Sequence, residues 1–178
     1  MNRIILLDRD GVINTDSVNY IKNVDELIII PDSITAIARL SAARYKIGVA
    51  TNQSGVSRGL YSEDDLSAIH CKLREVLAEA GGQINALEYC IHLPEDNCFC
   101  RKPQPGMLKA LAEKLNCSLD SVPFVGDRVS DIQAALAVGA QPIIVLSNMT
   151  DMSELAQYPE VPIYNSLLQY VNQLLLQE

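Results

Sequence analysis

The feature that most limits how this chain can fold is an alternation of short apolar runs with longer amphipathic stretches. "IILLD" (residues 4–8), "KIGVATN" (46–52), "LEYCIH" (87–92), "VPFVGD" (122–127) and "PIIVL" (142–146) read as strands buried on both faces. Between them lie helices. "SEDD" at 62–65 opens the clearest one: Ser62 is placed to cap it and Asp65 to answer from the third helical position. Its apolar face is Leu66, Ile69, Leu73, Val76 and Leu77, and Gly81-Gly82 stops it. His70, beside polar residues on this helix, reads as a surface side chain. A second helix follows Pro105 with Leu108, Leu111, Ala112 and Leu115 inward, and a third runs from about Ser130 through Ile132 and Leu136 to Gly139. Strands alternating with helices predict an α/β, Rossmann-like, doubly wound parallel sheet with helices on both faces.

A length of 178 residues suits one domain over 1–178. The net charge of -8 argues against nucleic acid or an anionic membrane as partner, since both need a basic footprint. The longest apolar stretches, such as 27–31 and 142–146, fall far short of a membrane span. Asp8 and Asp10 interrupt the first apolar run, unlike a secretory leader. A cytoplasmic protein is therefore expected, and in that compartment cysteines serve as ligands or nucleophiles more often than as disulfides.

In open parallel sheets ligands bind at the carboxyl ends of the strands, where strand order reverses. Four predicted strands end in polar residues there: Asp8, Thr51-Asn52, His92 and Asp127. "DRDG" alone reads as a turn after a strand, where Asp and Gly are favoured for backbone reasons. Its company changes that reading. "ATNQSG", "RKPQPGM" and "VGDRVSD" each supply what phosphoryl transfer needs. That reaction is mostly positioning and electrostatics, and a carboxylate can approach the anion only if a divalent cation and fixed donors offset the repulsion.

"CIHLPEDNCFC" at 90–100 offers Cys90, His92, Cys98 and Cys100, three thiolates and an imidazole, as a complete tetrahedral zinc set. Four protein ligands leave no open position, so such a zinc would be structural. The plainer alternative is a buried strand thiol at Cys90 and two loop thiols. A metal here would stiffen a loop that leads directly into Arg101-Lys102. Cys71 and Cys117 sit in helical contexts and read as core or half-buried thiols.

These segments, in this order, resemble the haloacid dehalogenase-like phosphatase superfamily over nearly the whole chain. The resemblance implies that Asp8 attacks phosphorus to form an aspartyl-phosphate, while Asp10 protonates the leaving oxygen and then deprotonates water. It implies Mg2+ between the Asp8 carboxylate, the Asp10 backbone carbonyl and Asp127, with Thr51 and Lys102 holding phosphate. Asp131, four residues after Asp127, is expected to orient a metal-bound water. No separate cap domain fits between the early strands, so short loops at 15–26 and 54–61 and the zinc loop must set specificity. An open site of that kind suits a small phosphorylated sugar.

Among subfamilies with this zinc loop, "DRDGVIN", "TNQSGVSRG", "CRKPQPGM" and residues 19–40 resemble the D-glycero-D-manno-heptose 1,7-bisphosphate 7-phosphatase family of nucleotide-heptose and lipopolysaccharide synthesis. Carried over by position, substrate contacts are expected from Asp8, Arg9, Asp10, Asp16, Ser17, Val18, Asn19, Thr51, Asn52, Gln53, Ser54, Arg101, Lys102 and Arg128. Two features depart from the family pattern. Arg128 stands where lysine is common, with a different hydrogen-bond geometry. "DSVNYIK" at 16–22 replaces a glycine-containing segment. Histidinol-phosphate phosphatase is the alternative within the same class, and a non-catalytic phosphate-binding module the alternative of another. The resemblance favours a monomer.

Overall fold

The computed structural model describes residues 3–177. Strands β1 (Ile4–Leu7), β2 (Lys46–Asn52), β3 (Ala86–Cys90), β4 (Pro123–Gly126), β5 (Gln141–Val145) and β6 (Ile163–Tyr164) form one parallel sheet in the order β3-β2-β1-β4-β5-β6. The reason both faces are covered is visible in β1. Ile5 and Leu7 join one core cluster and Ile4 and Leu6 another, because alternate strand residues face opposite sides.

The first cluster is closed by α1 (Pro31–Ala42), α2 (Glu63–Glu79) and α6 (Leu167–Leu176), through Ile37, Leu40, Leu73, Leu77, Leu167 and Val171. The second is closed by α3 (Gly106–Leu115) and α4 (Val129–Leu136), through Leu108, Leu111, Leu115, Ala134 and Ala135. A short α5 (Met152–Leu155) adds Leu155 to a smaller cluster with Ile132, Ile144 and Val161. No helix among the described residues is long and apolar enough to cross a membrane.

The expected capping box at the start of α2 is present: Asp65 N–H donates to Ser62 Oγ at 3.0 Å and Ser62 N–H to Asp65 Oδ2 at 2.9 Å. Other expectations need correction. His70 is buried on the core side of α2, because it lies one turn from both Leu66 and Leu73. The run at 27–31, for which no element was expected, makes an isolated bridge from Asn14 to Ile29, and Pro31 then opens α1 at the position where its missing N–H is harmless. The third predicted helix ends at Leu136, short of Gly139, which turns the chain toward β5 with a φ of 73°.

Strand order reverses between β1 and β4, which pair side by side: one hand of the sheet runs from β1 to β3, the other from β4 to β6. The carboxyl ends of these two strands deliver Asp8 and Asp127 to the same crevice.

Candidate active site

Asp8 leaves β1 with its N–H bonded to Val125 O, so its side chain stands over the β1–β4 junction. The next residues must turn at once, and Gly11 does so at a φ of 83°. A Cβ at Gly11 would come within 2.1 Å of Asp127 Oδ2, so the turn is also packed against the second acidic strand end. Asp8 Oδ1 accepts from Arg9 N–H at 2.8 Å and pairs with Lys102 Nζ at 2.9 Å. Lys102 Nζ also pairs with Asp131 Oδ1 at 2.7 Å and donates to Ala50 O at 2.9 Å. The lysine is aimed by its own backbone: the Asn52 side-chain amide bonds both Lys102 N–H and Lys102 O.

Asp131 caps α4 through Oδ2, which accepts from the N–H groups of Asp127 and Arg128. Asp127 Oδ2 accepts from Ser147 Oγ at 2.6 Å, while its Oδ1 is buried without a hydrogen-bond partner among the described residues. Asp8, Asp127 and Asp131 thus converge, with ligand oxygens within 4.8 Å of one another. Burial, then Asp131 and Asp127, push the Asp8 carboxyl well above the usual carboxylate range, against the pull of Lys102. Burial and Asp131 push Asp127 up to about 6. Three buried carboxylates against one ammonium, one of them with an orphaned oxygen, fit a hard divalent cation.

A carboxyl whose folded pKa lies above its unfolded one costs stability as pH rises through that window, and a bound cation removes the cost. Magnesium at about 100 times its Kd is therefore expected to raise the melting temperature by about 5–10 °C at pH 7.5. The gain should shrink as pH falls through about 6, where Asp127 takes a proton instead. Differential scanning calorimetry with and without magnesium across pH 5–8 checks this. A gain equal at pH 5 and pH 7.5 would contradict the acidic site.

Asp10 is set differently from Asp8. Its Oδ1 accepts from Arg9 Nε and Nη2 and from Asn14 Nδ2, and its Oδ2 from Gln53 Nε2 at 2.9 Å. Burial acts to raise Asp10, but the Arg9 guanidinium and these hydrogen bonds outweigh it and hold the carboxyl below its ordinary value. Gln53 is itself fixed, donating also to Thr51 Oγ1 at 2.8 Å and accepting from Tyr61 OH. Thr51 is fully buried at the end of β2.

A cavity of about 510 Å³ opens over these groups. Of the expected substrate contacts, Asp8, Asp10, Asp16, Ser17, Val18, Asn52, Gln53, Ser54, Arg101, Lys102 and Arg128 line it. Three do not. Arg9 turns its fully buried side chain inward to Asp10 and His70. Thr51 sits beneath Gln53. Asn19 lines a neighbouring hollow with Lys22 and Glu26. Arg128 faces the cavity while paired with Asp16, so the arginine gives this wall one fixed ion pair. Burial and Asp10 raise the Asp16 carboxyl, which that pairing opposes.

Sequence reasoning missed several groups. Arg58, Tyr20 and Met149 line the cavity, and Ser147 and Thr150 anchor Asp127: the Ser147 hydroxyl donates to Asp127 Oδ2 and the Thr150 hydroxyl to the main-chain oxygen of Asp127. The signal for the last two was available, because "SNMT" comes after β5 at the same edge of the sheet as the other strand ends.

The cysteine cluster assembles beside this cavity. Cys90 Sγ lies 3.4 Å from His92 Nδ1, 3.8 Å from Cys98 Sγ and 3.1 Å from Cys100 Sγ, and His92 Nδ1 is 3.2 Å from Cys100 Sγ. Ligands about 2.1–2.3 Å from a tetrahedral zinc stand about 3.5–3.8 Å apart, so the set can hold zinc. Burial, then the Cys100 thiol, push the Cys90 thiol up to about 12, so a thiolate there calls for a cation. The loop is tied to the segment that leads into α3: Arg101 N–H points at Cys98 Sγ, and Gly106 N–H bonds Phe99 O so closely that a Cβ at Gly106 would sit 2.4 Å from that oxygen.

The comparisons with known proteins agree with this geometry. Residues 99–170 match the family model described as HAD-hydrolase-like. The chain is 53% identical over 142 residues, 80% of each chain, to the D-glycero-beta-D-manno-heptose-1,7-bisphosphate 7-phosphatase of Pseudomonas aeruginosa. It is 38% identical to the protein of that name from Neisseria meningitidis serogroup A, over 99% of this chain and 96% of that one. A crystal structure of the D,D-heptose 1,7-bisphosphate phosphatase from B. bronchiseptica, complexed with magnesium and phosphate, superposes with a TM-score of 0.92 at 42% identity, covering 99% of both chains. Strand-end carboxylates on a doubly wound sheet, together with these matches, define the class as hydrolases of the haloacid dehalogenase type. Within that class, the chain belongs to the D-glycero-beta-D-manno-heptose-1,7-bisphosphate 7-phosphatase family.

Proposed function

We propose that residues 1–178 act as one phosphatase domain that removes the C7 phosphate of D-glycero-β-D-manno-heptose 1,7-bisphosphate. The observation that carries this reading is the pair of unlike carboxylates under one cavity. Asp8 is ion-paired to Lys102 inside a carboxylate cluster, and Asp10 lies outside that cluster in a cage of hydrogen bonds. The β anomer and the C7 position come from the names of the relatives.

In the first step an Asp8 carboxylate oxygen attacks phosphorus, the bond from phosphorus to the C7 oxygen breaks, and that oxygen takes a proton from Asp10. Asp10 Oδ1 already accepts three N–H groups, so Oδ2 is the oxygen assigned to carry the proton. The negative charge of the arriving phosphate raises the proton affinity of Asp10, which the free site keeps low. In the second step water attacks phosphorus and gives its proton to Asp10 Oδ2, and the bond to Asp8 breaks to release inorganic phosphate. Lys102, which lines the cavity, holds the phosphoryl oxygens, and the Thr51 hydroxyl, which lies beneath Gln53 and receives a hydrogen bond from it, joins only when the Gln53 side chain moves aside. Asp8, Asp127 and the Asp10 main-chain carbonyl would hold Mg2+, with Asp131 orienting one of its waters. The ion would screen the nucleophile from the charge of the phosphoryl group.

Arg101 and Arg128 line the cavity along with Lys102, and cations there suit the rest of an anionic sugar. The net charge of -8 supports a small-molecule substrate in place of nucleic acid, and the reading includes a cytoplasmic monomer. The test is phosphate release with magnesium from both anomers of the heptose bisphosphate and from histidinol phosphate. A kcat/KM highest on the β anomer is expected. A preference for histidinol phosphate would keep the chemistry and overturn the substrate.

A further inference from the structure

Arg9 lies between two aspartates, yet its guanidinium is fully buried and absent from the cavity wall. Its Nε and Nη2 donate to Asp10 Oδ1 at 3.1 and 2.8 Å, and its Nη1 lies 3.0 Å from His70 Nε2. A guanidinium accepts no hydrogen bond, so Nε2 must be the acceptor, which places the imidazole proton on Nδ1 and keeps the ring neutral. His70 occupies a core-facing position of α2, between Leu66 and Leu73, where an apolar side chain would pack without burying polar atoms of its own. An apolar side chain there would, however, leave Arg9 Nη1 without this partner.

We propose that His70 is a positioning residue for proton transfer: it fixes the Arg9 guanidinium, which holds Asp10 Oδ1 so that Oδ2 meets the leaving oxygen. The proposal rests on the phosphatase reading and adds to it a helix remote in sequence from the acidic loop. The hydrogen bonds and ion pairs of Lys102, Asp127 and Asp131 given for the site involve neither the Arg9 guanidinium nor His70, so phosphate capture and the attack by Asp8 should survive the loss of His70. The protonation of a poor leaving group should not.

That asymmetry supplies the test. The C7 alkoxide needs a proton to depart, whereas p-nitrophenolate does not, and kcat/KM reports the steps through departure for both substrates. His70→Leu is expected to lower kcat/KM on the heptose bisphosphate about 10- to 100-fold, mainly through kcat. Its loss on p-nitrophenyl phosphate should be several-fold smaller. His70→Gln, whose amide oxygen can still accept from Arg9, should restore most of the activity on the sugar. His70→Asn, whose shorter amide falls short of Arg9, should behave like His70→Leu and serves if that variant does not fold. Equal losses on both substrates, or no rescue by glutamine, would overturn the proposal and leave His70 a packing residue. Parent protein inactive on the heptose bisphosphate would overturn the phosphatase reading itself, and this proposal with it.

Discussion

Asp8→Asn is expected to abolish phosphate release, by at least about 10⁴-fold, because the neighbouring carboxylates are already engaged, Asp127 by Ser147 and Asp131 by Lys102 and the start of α4, and do not replace the nucleophile. The amide keeps the shape of the side chain and an oxygen that can accept from Arg9 N–H and Lys102 Nζ, as Asp8 Oδ1 does. It also removes one of three crowded acidic groups. Burial and the Asp131 and Asp127 charges already disfavour ionised Asp8, so the metal-free variant should melt no lower than the parent. Asp127 and Asp131 remain, so phosphate should still bind with magnesium, more weakly. Phosphate release, calorimetric melting and phosphate binding together check the prediction. Parent and variant equally inactive on every phosphoester would favour a binding module over an enzyme, and equal activity in both would point to a contaminant.

Cys98→Ser should have the largest effect on stability. The four candidate ligands run from Cys90 at the end of β3 through His92, Cys98 and Cys100 in a loop whose regular structure is a single 3-10 turn at Pro94–Asp96, so little apolar burial would hold that loop without metal. Structural zinc contributes folding free energy outright in such settings. Losing a ligand should drop zinc from about one per chain to a small fraction and lower the melting temperature by about 10 °C, the shift about 3–4 kcal/mol gives in a chain of this size. Because Arg101 N–H points at Cys98 Sγ and Lys102 comes directly after it, kcat/KM should fall as well. Metal analysis and calorimetry of protein purified without chelator read the result. A parent without zinc would refute the assignment.

The parts of this molecule that sequence reasoning reached are those where one residue type at one place has a single physical meaning. Asp8 and Asp127 each come after an apolar run and each belongs to one of several motifs that point to the same strand ends, which is what lifts them above ordinary turn residues. Ser62 and Asp65 declare a helix start, and the spacing of Cys90, His92, Cys98 and Cys100 declares a ligand set. What stayed hidden depends on side-chain direction or on tertiary packing. Arg9 could have faced the cavity or the core, and its sequence between two aspartates is the same either way. His70 lies one turn from Leu66 and Leu73, so the spacing places it on the apolar face of α2, but nothing in the sequence says that a buried guanidinium is its partner there. The two-residue β6 is too short to carry a periodicity, and the apolar run before Pro31 is a connection into α1 in which Ile28 is exposed and Ile29 makes only a bridge.

The central claim is that this chain cleaves the C7 phosphate of a heptose 1,7-bisphosphate by way of Asp8. The most direct measurement is phosphorus NMR of the β-anomer bisphosphate incubated with magnesium and the parent protein, with Asp8→Asn alongside. Loss of the C7 phosphoester signal, growth of inorganic phosphate and an unchanged anomeric C1 phosphate are predicted for the parent, and no change for the variant. Loss of the C1 signal, or an unchanged spectrum with the parent, would contradict the account.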